Sequence, residues 1–166
     1  MDVEDAIETR IEIREYTDEP VDDSTKRAIL DAGRLAPSGR NLQHWRFVLV
    51  DEESRLADLA AASPSGSWIA GADFAVAICT DYKHGGIDAG RAVTHMQLLA
   101  WERGVGSCIY TVDSVEADEV LDVPNGYDLT LVAGFGYPTA DVAGRKDREP
   151  LSSVAFQGAF GSELEV

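Results

Sequence analysis

The sequence predicts an α+β chain built in α/β-like layers, with one sheet covered by helices on both faces. Three observations carry this expectation. Helical and extended segments alternate, so that helices separate most of the strands. Apolar residues recur three and four apart in the helical segments and run almost unbroken in the extended ones. Hydrophobic residues make up 45% of the 166 residues, enough for a core and too many for a disordered chain.

Val3, Ala6, Ile7, Ile11 and Ile13 give residues 2–13 a mostly helical rhythm, which breaks toward EYTDEPV; Pro20 stops regular structure. Asp22, Asp23 and Ser24 offer N-caps for a helix reaching Leu35, with Ile29, Leu30, Ala32 and Leu35 on one face. Pro37, Ser38 and Gly39 break it. RFVLV at 46–50 predicts a strand, residues 52–62 a helix and SPSGS a loop. DFAVAICT at 73–80 is so apolar that it predicts a strand buried on both faces. Residues 87–103 form the longest expected helix, carrying Ala89, Val93, Met96, Leu99 and Ala100 at helical spacing, with Gly104 as its C-cap. GVGSCIYTV predicts a strand, residues 114–121 an acidic helix, and DLTLVAGFGYP the last strand. No repeat, low-complexity stretch or linker divides the chain, so residues 1–166 read as a single domain.

Thirty Asp and Glu oppose fourteen Lys and Arg, for a net charge of −16. Such a field disfavours general binding to nucleic acid or anionic membranes. The acids are scattered and only three of the basic residues are Lys, which fits a halophile's hydrated surface. No apolar run approaches the roughly 18 residues of a membrane helix, and the start MDVEDAIETR is too acidic for a signal peptide, so the expected location is cytoplasmic. Cys79 and Cys108 sit in apolar surroundings as expected buried thiols. His44, His84 and His95 are too dispersed for a ligand set, and no metal is expected.

Three islands stand out: Arg10-Ile11-Glu12-Ile13-Arg14, then APSGRNLQHWRF at 36–47, then Gly144-Arg145-Lys146-Asp147-Arg148. The basic islands suggest an anion site, since guanidinium forks match phosphate oxygens; charge alone favours solvated surface runs that salt against nearby acids. In the middle island a Pro-Ser-Gly turn exposes backbone groups, while Asn41 and Gln43 each offer donor and acceptor. That suits the edge of a flat heterocycle, or an ordinary loop with an amide-rich tip.

In this order and spacing the islands resemble the FMN-dependent nitroreductase family. That family opens with Arg-x-Ser-x-Arg/Lys-x-Phe before Pro-Val; here the residues are Arg10, Glu12, Arg14 and Tyr16, then Pro20-Val21. Its APSxxNxQPW hallmark is similar to APSGRNLQHW, with His44 replacing the proline. Gly104 to Cys108, and Gly136-Tyr137-Pro138 before the basic run, match as well.

The resemblance implies a mostly antiparallel central sheet flanked by helices, FMN as cofactor, and a homodimer with the flavin at its interface. It assigns Arg10 to the phosphate or ribityl end and Arg14 to N1 and O2 of the ring. Pro37, Ser38, Gly39 and Asn41 would reach the flavin of the partner subunit, with Gln43 supporting their loop. Ile109 and Tyr110 would pass backbone along the ring near N5, and Lys146 and Arg148 would close on the phosphate. Glu12 would repel a phosphate where the family has Ser, and the short segment 63–73 implies a more open pocket or a substrate chemistry unlike that of the nitroaromatic enzymes. The activity implied is that of a nitroreductase-like oxidoreductase in which NAD(P)H reduces the flavin and a small nitro-, quinone- or enone-like acceptor is reduced in turn, by ping-pong transfer. The alternatives are a flavin-binding module without turnover, or flavin fragmentation or dehalogenation on the same fold. Surplus apolar surface on helix 87–103 and on VAFQGAFG at 154–161 points to the dimer.

Overall fold

The structure, a computed structural model, describes residues 1–81, 85–110, 115–140 and 146–165. His84, Thr111, Val112, Ser114, Gly144 and Arg145, named above, lie outside the described residues. The elements are α1 (Val3–Thr9), α2 (Asp23–Arg34), β1 (Trp45–Val50), α3 (Glu53–Ala61), β2 (Phe74–Thr80), α4 (Gly85–Glu102), β3 (Gly106–Tyr110), α5 (Val115–Val120), β4 (Asp128–Gly136) and α6 (Leu151–Val154). The strands form one antiparallel sheet in the order β1-β2-β4-β3.

Strand alternation divides the core between the two faces of this sheet. Phe74, Val76 and Ile78 of β2 pack with Ile29 of α2 and with Ala89, Val93, Met96 and Ala100 of α4. Ala75, Ala77 and Cys79 face the opposite way, toward Leu56 and Leu59 of α3 and Ala117 of α5. Every residue of β2 is buried, as its composition predicts. Phe74 and Phe135, paired across β2 and β4, stack with centroids 4.9 Å apart. Asp22 caps α2 by accepting the Thr25 N–H at 2.9 Å. Gly104, at φ +76°, ends α4 where only glycine is unstrained.

Three expectations need correction. The first helix ends at Thr9, not Ile13, because Glu12 bridges in parallel to Ser107 and Tyr16 pairs with Pro138. The chain from Arg10 to Tyr16 thus covers the free edge of β3. The apolar face of α4 is spent largely on its own core, leaving Ile87, 68% exposed, as the surplus apolar surface of that helix. Residues Pro64–Gly71, where SPSGS predicts a loop, coil into a 3₁₀ turn that fills the sheet's second face, with Ile69 buried and Trp68 edge-on to Tyr110. The C-terminal segment behaves otherwise: Leu151, Val154 and Phe160 are exposed, Phe160 by 95%. Cys79 and Cys108 are free and buried on strands that β4 separates, which keeps them from meeting as a redox pair. Burial comes first in raising their thiols, to about 11 and about 12, beyond useful nucleophilicity. No helix among the described residues is long and apolar enough to cross a membrane.

Candidate functional site

The candidate residues fall into two groups within one chain. The first is built on the strip along β3. Ile13 turns inward and its N–H bonds the Ser107 carbonyl at 2.9 Å, which sends its neighbours Glu12 and Arg14 outward. Two glycines permit this approach: a Cβ on Gly106 would lie 2.8 Å from Ile13, and one on Gly136 2.9 Å from Tyr16. The Tyr16 hydroxyl donates to the Ile13 carbonyl at 2.6 Å and locks the strip's turn; burial, ahead of nearby Cys108 and Glu12, raises its phenol so that it stays protonated.

Arg10 and Glu12 pair at 2.7 Å, and the other Glu12 oxygen accepts the Ile109 N–H at 3.1 Å. Lys146, from the far end of the chain, donates to the Ile7 carbonyl at the end of α1. Lost hydration, then the charges of Arg10 and Arg148, push the Lys146 ammonium below the usual lysine range, against an opposing pull from Glu8. Lys146 thus feels Arg10 across most of the sequence, together with its neighbour Arg148. Arg14 stands beside Cys108 and Glu12 on a hollow of about 400 Å³ that Thr139 and Ala140 also line. Ile109 points to solvent, 37% exposed. The Tyr110 side chain is buried in the core beside Trp68 and Ser63, leaving only its main chain for any ligand.

The second group is the loop Pro37–Gln43, where Gly39–Asn41 form a single 3₁₀ turn. Arg40, Asn41 and Gln43 all adopt positive φ, at 53°, 58° and 49°, a strained backbone that must be held from outside. Asp88 of α4, only 6% exposed, holds it. One carboxylate oxygen accepts the Gly39 N–H at 3.1 Å and lies 3.3 Å from His44 Nε2; the other lies 3.3 Å from Arg91 Nη1. The Ser38 hydroxyl accepts the Gln43 N–H at 3.0 Å, and the Gln43 amide returns to the Asn41 carbonyl at 3.3 Å. Pro37, Gly39, Asn41 and Gln43 remain exposed, while Trp45 is buried in the core behind them.

Asp88 was not among the sequence-derived candidates, although a signal exists. It falls on the face of α4 whose other positions, Gly85, Ala89, Ala92, Val93 and Met96, are buried, and a carboxylate there demands partners. His44, in place of the family's proline, supplies one.

Comparison with known proteins agrees with this architecture. The nitroreductase family model matches residues 7–83. A protein assigned as NADH dehydrogenase/NAD(P)H nitroreductase in Archaeoglobus fulgidus is 31% identical over 80% of this chain and 83% of its own length. Its counterpart in Methanothermobacter thermautotrophicus is 30% identical over 89% and 82%. Among solved structures, an FMN-dependent nitroreductase from Clostridium difficile R20291 superposes with a TM-score of 0.87 at 27% identity, over 93% of this chain and 98% of that one. Fold and relatives together define an oxidoreductase of this α+β class. The chain belongs to the nitroreductase family.

Proposed function

We propose that this chain is an FMN-dependent oxidoreductase that takes reducing equivalents from NADH or NADPH and hands them, in ping-pong order, to a small nitro-, quinone- or enone-like acceptor. One observation carries the reading: in a chain of net charge −16, Lys146 reaches back to the Ile7 carbonyl, three residues before Arg10, where its ammonium feels the charges of both Arg10 and Arg148. Repulsion among three cations is relieved by an anion, and the donor set fits a phosphate. FMN supplies the hydride chemistry when bound. Arg14, beside the same strip, is suited to the N1 and O2 edge, where a fixed positive charge favours the reduced ring. Backbone at Ile109 and Tyr110 borders that position.

The loop Pro37–Gln43 makes its described contacts with itself, β1 and α4, apart from the Arg10 group. Its exposed tip serves the partner subunit's flavin in a homodimer, whose formation would cover Leu151, Val154 and Phe160. Residues 1–166 act as one domain, in a cytoplasm whose high salt suits the acidic surface.

Mixing the yellow protein anaerobically with NADH or NADPH tests the activity. Bleaching without added acceptor, reversed by a nitroaromatic, quinone or enone, is expected. Colour that persists with both nucleotides supports a binding module without turnover. Light scattering with flavin bound tests the dimer, and a monomeric mass refutes it.

A further inference from the structure

On the function proposed above, the flavin phosphate comes to the Arg10 end of the site, so the anion already lodged there matters. Glu12 engages two donors at once. Its Oε1 lies 2.7 Å from Arg10 Nη1, and its Oε2 accepts the Ile109 N–H at 3.1 Å. The strip's pairing with β3 fixes where this carboxylate stands, since Glu12 bridges to Ser107 and Ile13 is pinned beside it. Arg10 and Glu12 are only 23% and 33% exposed, so water screens the pair less than a free surface pair. Of the charged groups facing it, Arg14 acts with Glu12 on Cys108, and Lys146 feels Arg10 together with Arg148 and Glu8. An arriving phosphate meets a guanidinium already in use and a like charge next to it. A flavin without phosphate meets neither.

We propose that Glu12 is a specificity-determining residue: an internal counterion that narrows this site's preference for phosphorylated over unphosphorylated flavin. The same chain with a neutral residue at position 12 discriminates more sharply.

Titrating FMN and riboflavin against the flavin-free full-length wild type, Glu12→Gln and Glu12→Ser reads this directly. Both variants should bind FMN roughly tenfold tighter and riboflavin within about twofold of wild type. The FMN-to-riboflavin affinity ratio therefore widens about tenfold. Circular dichroism confirms that each variant is folded, and two chemically different replacements guard against a fault peculiar to one. A ratio unchanged or narrowed in both variants, with flavin still bound, overturns the proposal and makes Glu12 a clamp for Arg10. Binding of neither flavin by any of the three proteins overturns the FMN reading itself, and this proposal with it.

Discussion

The loop Pro37–Gln43 and the strip around Arg10 both present polar groups to one kind of ligand, yet they are held in opposite ways. The loop is a geometry held by a charge: consecutive strained residues are anchored on the buried carboxylate of Asp88. The strip is a set of charges held by a geometry: plain extended backbone paired to β3, with glycines opposite that let it approach closely. Substitution should therefore act differently in the two places. In the loop it changes shape and stability together, because the anchor is buried. Along the strip an outward charged side chain can be removed with little effect on the fold.

The comparison breaks most readily at Asp88. Asp88→Ala removes the acceptor of the Gly39 N–H and the carboxylate beside His44 and Arg91, and should cost about 3 kcal/mol, lowering Tm by about 6–12 °C. Denaturant unfolding measures the loss, and limited proteolysis should cut near Arg40. A variant of wild-type stability with a protected loop would show that the loop holds itself. Arg10→Ala and Arg148→Ala should leave stability nearly unchanged while weakening FMN roughly tenfold to hundredfold and sparing riboflavin. Titration of both flavins checks this, and equal FMN binding by wild type and both variants would remove these residues from the site. Gly106→Ala tests the geometry of the strip: its Cβ collides with Ile13, and a loss of about 1–3 kcal/mol should come with weaker FMN binding.

Two gentler perturbations sharpen the contrast. Raising salt from about 0.1 to 1 M shortens the Debye length from about 10 to about 3 Å and should raise Tm, because a net charge of −16 repels itself. A flat or falling Tm removes the halophile argument. The smallest effect belongs to Asp22, whose carboxyl is lowered to about 2 by hydrogen bonds from Ser24 and Thr25. A carboxylate depressed in the folded state adds stability above its unfolded pKa of about 3.9 and loses it as pH falls toward 2. Acid unfolding of Asp22→Ala should therefore show a shallower fall across that window.

Most of the fold is legible in the residues themselves. β2 betrays its double burial by lacking polar positions, and α2 and α4 by their apolar spacing. The end of α1 is not legible, because Ile11 and Ile13 continue a helical rhythm while alternating with Glu12 and Arg14 like a strand; only the edge of β3 decides between the two. The turn Pro64–Gly71 has loop composition, yet Trp68 and Ile69 supply the apolar weight that buries it. At the site, the types and order of the basic and amide residues point to the chemistry. Their local partners aside, the contacts that place Glu12 and Asp88 do not follow from order: Glu12 bonds Ile109 from 97 residues away and Asp88 bonds Gly39 from 49.

Those separations also set an order of events during synthesis. The strip cannot close on β3 until residues beyond Ile109 have left the ribosome, and Lys146 must bridge 139 residues to reach Ile7. Such contacts carry the largest loop-closure entropy and form late. The nascent chain can therefore pair β1 with β2 and lay α2 on α4 while residues 10–16 wait unpaired. Pulsed hydrogen exchange during refolding should find the Ile13 and Ile109 amides among the last to gain protection, so that the ligand-facing surface is completed only once the rest of the molecule has folded.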